Sequence, residues 1–138
     1  MKKIDIQNAV NALGRVPVNK VKDDVVRNTL IYDYRRLRKV SREIEEERTD
    51  LVEKFQADFA VEAEEARALR QQGKAVTGAA LAPFLKAEAE LNRAVRAMFR
   101  EEVELELKTV PMDDFVKAVK DGDYTFEDLS ALDGVVLD

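Results

Sequence analysis

The sequence predicts an α+β protein that is mostly α: a long antiparallel helical hairpin on a small base of short helices with a minor β element. Three observations carry that prediction. Val26, Leu30, Tyr34, Leu37, Val40, Ile44, Leu51, Phe55 and Phe59 recur at steps of three, four or seven residues, which keeps one face of a 3.6-residue helix apolar. A second stripe of Phe84, Leu85, Leu91, Val95, Met98 and Phe99 follows a glycine-containing break. Between Val103 and Thr109 the period switches to two, the spacing of a strand with one face inward. With 46% hydrophobic residues the chain is too apolar to stay disordered, and with 37% charged residues it suits long two-faced helices. Its 138 residues are read as a single domain: a lead over 1–18, the hairpin over 19–102 with its tip near 70–82, and a base over 103–138.

In chain order, residues 1–14 read as a short extended lead and a short helix. Asp5 is the expected N-cap, Ile6, Val10 and Leu13 share a face, and Gly14 is the stop. Val16-Pro17-Val18-Asn19 is a turn, because the residue before a proline is pushed out of the helical region. The long helix is then expected from about Lys20 to Gln72, capped by Asn19, with Asp23 and Asp24 where the helix dipole favours negative charge. At 1.5 Å per residue such a helix would be on the order of 75 Å long, so its stripe needs a partner helix.

Arg35, Arg36, Arg38, Lys39 and Arg42 form a basic block, followed by Glu43, Glu45, Glu46 and Glu47. The blocks read as a solvated helix surface with Lys39–Glu43 and Arg42–Glu46 pairs at i, i+4. After Phe59 the pattern degrades into an alanine- and glutamate-rich stretch, and Gln71 to Lys74 breaks it. The partner helix is expected from Pro83 to Glu101, with Pro83 in its first turn. Folding back would bring Arg93, Arg96 and Arg100 near Glu43–Glu47.

Val103, Leu105, Leu107 and Thr109 alternate with Glu104, Glu106 and Lys108. The expected mates of this strand are the Lys3-to-Ile6 lead and Val135-Val136-Leu137. The tail reads as two short helices. Met112 to Lys120 points Phe115, Val116 and Val119 inward, and a second helix opens on a Thr125-Phe126-Glu127-Asp128 cap. Asp121 to Thr125 fails as a calcium loop, since it lacks the central glycine and Leu132 stands where a glutamate is required.

The chain has no cysteine and no histidine. That removes disulfides, thiolate nucleophiles, Ser-His-Asp and Cys-His catalysis, and the common zinc geometries. A net charge of -5 argues against a surface built as a whole for nucleic acid or anionic lipid. No run of signal-peptide length follows Met1-Lys2-Lys3 and nowhere do eighteen apolar residues succeed one another, so a cytoplasmic location is expected. Gly73 and Gly78 make no phosphate cradle, because no Gly-Lys-Ser/Thr opens the next helix. Glu47 and Asp50 have helical spacing, but no ordered second acidic pair completes a carboxylate magnesium site.

The order of pieces resembles a group of small proteins of unknown function from tailed phages and prophages. The residues that carry the likeness are Ala9-Val10-Asn11-Ala12-Leu13, the helix through Tyr34-Arg35-Arg36-Leu37, the break near Gly73, Glu102-Val103-Glu104-Leu105-Glu106-Leu107, and Phe126 to Leu132. Val16-Pro17-Val18 departs from the Leu-Pro usual in that group. The resemblance implies a phage origin and no mechanism. The expected role is therefore non-enzymatic: binding of a protein partner, self or phage or host protein, through helical faces, with no cofactor, no membrane and no direct nucleic acid. Tyr32, Tyr34 and Arg35 are the candidate anchors, since amphipathic aromatics and Arg are enriched at interfaces; core packing is the competing role for both tyrosines. Two other readings stand beside it. One is a carboxylate- and magnesium-dependent hydrolase using some of Glu43, Glu46, Glu47 and Asp50; the other is an acidic inhibitor of a host defence protein.

Overall fold

A computed structural model describes all residues, 1–138. The protein is mostly helical, with α1 (Lys3–Arg15), a 3-10 turn (Val18–Lys20), α2 (Asp24–Asp58), α3 (Ala60–Gln71), α4 (Ala82–Arg100), α5 (Met112–Ala118) and α6 (Phe126–Leu132). None of the helices is long and apolar enough to cross a membrane. Contacts gather into two compact units, one of 1–44 with 99–138 and one of 45–98.

The first unit holds most of the buried side chains. α1 begins at Lys3 rather than after an extended lead, because the Asp5 carboxylate accepts from the Lys2 N–H at 3.1 Å and occupies one of the free donors of the first turn. Asp5 therefore lies inside the helix and is not its N-cap residue. Ile6, Ala9, Ala12 and Leu13 form the buried face of α1, and the two alanines allow close packing of α6, whose Leu132 has no exposed surface. α2 starts at Asp24, later than expected. Asn19 is taken into the 3-10 turn, and Asp23 caps instead, its Oδ1 accepting from Val26 N–H at 3.0 Å. Within this unit α2 buries Val26, Leu30, Asp33, Leu37 and Ile44. Each fully buried aliphatic side chain there contributes about 2 kcal/mol.

The segment 103–109 follows the expected alternation in burial, with Val103, Leu105 and Leu107 half-buried and Glu104, Glu106 and Lys108 exposed. It does not form a strand in a sheet. Only isolated bridges hold its ends, Lys2 with Glu102 and Val110 with Leu137, because the lead that should have paired with it is already helical. The C-terminal mate pairs only with the end of the segment: Val110 N–H donates to Val136 C=O at 2.8 Å, Asp138 N–H to Val110 C=O at 3.0 Å and Met112 N–H to Asp138 C=O at 2.8 Å. Phe115 of α5 and Val119 just after it are buried but Val116 is 42% exposed, since a helix of this length has room for one inward stripe. α6 carries the expected capping box: Asp128 N–H donates to Thr125 Oγ1 and Thr125 N–H to Asp128 Oδ2.

The second unit takes in the rest of α2, then α3 and most of α4. The helix breaks at Phe59, where the apolar stripe ends. Phe55, Phe59 and Phe84 pack with ring centroids 5.5 to 6.2 Å apart. Arg70 of α3 donates twice to Glu88 of α4, at 2.7 and 3.0 Å. Pro83 stands in the first turn of α4, as expected. Arg93, Arg96 and Arg100 form no ion pair, and neither Lys39–Glu43 nor Arg42–Glu46 closes; the pairs within one helix are instead at i, i+3, among them Asp24–Arg27, Glu45–Arg48 and Glu64–Arg67.

Candidate functional site

A cleft of about 570 Å³ lies in the first unit between the end of α1, the 3-10 turn and α2. Its construction follows from local sequence. Pro17 turns the chain away after α1, and the 3-10 turn carries Lys20 to the rim. Helical spacing then puts Ile31, Tyr34, Arg35 and Arg38 of α2 along the opposite wall. Leu13 and Val16, both nearly inaccessible, form the apolar floor. The Tyr34 ring lies beside Gly14: a β-carbon there would meet its phenolic oxygen at 3.6 Å, an ordinary van der Waals contact. Tyr34 is half-buried, and its hydroxyl has no hydrogen bond within the chain.

The electrostatics of the cleft run against those of the whole chain. Lys20, Arg35 and Arg38 line it and no acidic residue does, although the net charge of the protein is -5. None of these three cations has an ion-pair partner in the chain, and all are exposed. An apolar floor with a phenol and unpaired guanidinium groups at its rim suits a ligand that is partly apolar and carries carboxylates or similar anions.

The anchors expected from the sequence divide. Tyr34 and Arg35 meet in this cleft, and Tyr34 serves there both as wall and as partial core. Tyr32 does not join them. Lys108 Nζ lies 4.4 Å from its ring centroid and the Arg36 guanidinium 5.3 Å, and Arg36 Nη1 donates to its hydroxyl at 2.9 Å. It fastens the 103–109 segment to α2. Arg38 and Lys20 were absent from the expected anchors. Arg38 was within reach of sequence reasoning, since it stands at i+4 from Tyr34; Lys20 arrives through the 3-10 turn, which helix periodicity does not reveal.

Asp33, next to Tyr32, is fully buried. Its Oδ1 accepts from Lys108 N–H at 2.8 Å, while Oδ2 has no partner. Burial pushes this carboxyl up to about 6, against the opposing pull of the Lys108 N–H and of the charges on Lys108 and Arg36. Glu43, Glu46, Glu47 and Asp50, the residues of the hydrolase reading, are all exposed. They do not join a group of three or more ligands able to hold a metal ion.

Comparison with protein-family models, with curated proteins and with solved structures gave no match.

Proposed function

We propose that this chain is a non-enzymatic interaction protein, a phage-encoded assembly accessory, that binds an acidic segment of a protein partner in the cleft of Tyr34, Arg35, Arg38 and Lys20. In this reading α2 and α4 act as a helical hairpin, and the site of action is the bacterial cytoplasm. The observation that supports it most is the unpaired set of cations around an apolar floor in a chain of net charge -5. Long side chains held without an internal counterion are available to a partner, and a guanidinium binds a carboxylate in two-point fashion. Arg and Tyr together are the side chains from which binding hot spots are most often built.

The test uses a labelled peptide alternating glutamate and leucine, a single-stranded oligonucleotide of equal charge, and fluorescence anisotropy. The wild-type protein is expected to bind the peptide in a salt-dependent manner. The double variant Arg35→Glu/Arg38→Glu should lose at least about tenfold in affinity, or about 1.4 kcal/mol. Its melting temperature should stay within about 2 °C, because both side chains are exposed and unpaired. Oligonucleotide binding without peptide binding would overturn the protein-partner reading.

A further inference from the structure

The segment 103–109 lies extended with almost none of its backbone hydrogen bonding used. Val103 N–H donates to Met1 C=O and Lys108 N–H to the Asp33 carboxylate. The N–H groups of Glu104, Leu105, Glu106, Leu107 and Thr109 have no partner in the chain. An extended run of open donors and acceptors is a template for another strand. Both ends are fixed, by the Lys2–Glu102 bridge and the Val110–Leu137 bridge, and Asp33 pins it once more in between. The segment is therefore held in strand form before any partner arrives, which lowers the ordering cost of adding one.

Val103 to Glu106 also line a cavity of about 970 Å³, together with the start of α1 and the chain around Gly134. Its charged lining is mainly acidic. Asp5, Glu104, Glu106 and Asp133 face Arg36 and the terminal ammonium. The ammonium is already paired with Glu102 at 2.7 Å and Arg36 with Tyr32. Glu104, Glu106 and Asp133 have no such partner.

We infer that 103–107 is a docking strand that adds an extended basic segment of a protein partner as a β-strand along the acidic cleft. In a paired strand the side chains directly opposite share a face. Basic residues two apart would thus stand against Glu104 and Glu106, with apolar residues between them against Leu105 and Leu107. Main-chain bonds would supply the affinity and the alternating side chains the selectivity. This site is separate from the basic cleft and selects the opposite charge.

The experiment uses the full chain and a short peptide alternating lysine and valine. Two controls accompany it: the same peptide N-methylated at alternate amides, which keeps the charge but cannot pair, and a peptide alternating glutamate and valine. Calorimetry should show binding of the lysine peptide, a loss of at least about tenfold on N-methylation, and no binding of the glutamate peptide to the Arg35→Glu/Arg38→Glu variant, whose basic cleft no longer takes acidic segments. The variant Glu104→Gln/Glu106→Gln, altered only at exposed side chains, should weaken the lysine peptide by a similar factor. Amide exchange should slow at alternate residues of 104–107 when the peptide is bound. Equal affinity for the N-methylated peptide would reduce the interaction to unspecific charge attraction and overturn the inference. So would absence of binding at millimolar peptide, or amide exchange that showed 104–107 already protected in the free chain.

Discussion

Two corners of the first unit each bury an aspartate, and they treat it in opposite ways. Asp128, 2% exposed, uses both oxygens: Oδ1 accepts from Arg15 Nε at 3.0 Å and Nη2 at 2.5 Å, and Oδ2 from Thr125 N–H at 3.0 Å. Burial pushes its carboxyl up, but Arg15 and Thr125 together hold it below the usual carboxylate range. Asp33 is buried as deeply but has one oxygen bonded instead of two, and its carboxyl is pushed up to about 6. Cations are close to Asp33 too, yet Lys108 and Arg36 are turned onto the Tyr32 ring and hydroxyl. The difference teaches that the partners reaching the oxygens, and not burial alone, decide the charge a buried carboxyl carries.

Removing the partner of the satisfied carboxylate should break this contrast outright. Arg15→Ala leaves Asp128 buried with Oδ1 unfilled, and urea denaturation at neutral pH should show a loss of about 2 kcal/mol. That is less than for a fully buried pair, because the Arg15 side chain is 60% exposed. Since the folded-state carboxyl lies below its unfolded value, the wild-type contribution is present above the unfolded pKa of about 4 and fades as pH falls through the folded value. The cost of the variant should shrink over that acid range. A loss that stays the same in acid would assign it to packing of the Arg15 stem.

The reverse sign is expected at Asp33. Its folded-state pKa of about 6 lies above the unfolded value, so the folded protein binds the extra proton between the two. This contribution is fully present below about pH 4 and is lost as pH rises through 6, a decline of about 3 kcal/mol. Asp33→Asn keeps an oxygen for the Lys108 N–H and cannot ionise. It should remove that decline and leave the variant more stable than wild type at pH 7. An unchanged slope between pH 4 and 7 would place the titration elsewhere.

Much of the fold could be read from periodicity, and the failures have physical causes. The stripes of α2 and α4, Pro83 in the first turn and the Thr125 cap depend on neighbours within one turn, where sequence and structure are tightly linked. The break at Phe59 coincides with the end of the α2 stripe. The strand failed because a sheet needs a second extended segment, and Asp5 had already committed the lead to α1. Two of the three anchors came together, since Tyr34 and Arg35 share a cleft wall, but Tyr32 was drawn to Lys108, far away in the chain. Asp33 could have been suspected from its place at i+3 from Leu30 and i−4 from Leu37, on the buried stripe. That its second oxygen would find no donor depends on the path of residues 103–109 and is invisible to helix spacing.

The smallest effect tests why the two aspartates differ. If Tyr32 holds Lys108 and Arg36 away from Asp33, then Tyr32→Leu should free both cations while keeping the apolar bulk. The lost cation–π contact costs about 0.5 to 1 kcal/mol at this half-exposed position. The more telling readout is the Asp33 carboxyl itself, followed by carbon NMR across pH. Released cations can turn toward the unpartnered Oδ2, so its midpoint should fall below about 6, toward the behaviour of Asp128. A midpoint that does not move would mean that the closed packing around Oδ2, and not competition from Tyr32, keeps Asp33 apart from its neighbouring charges.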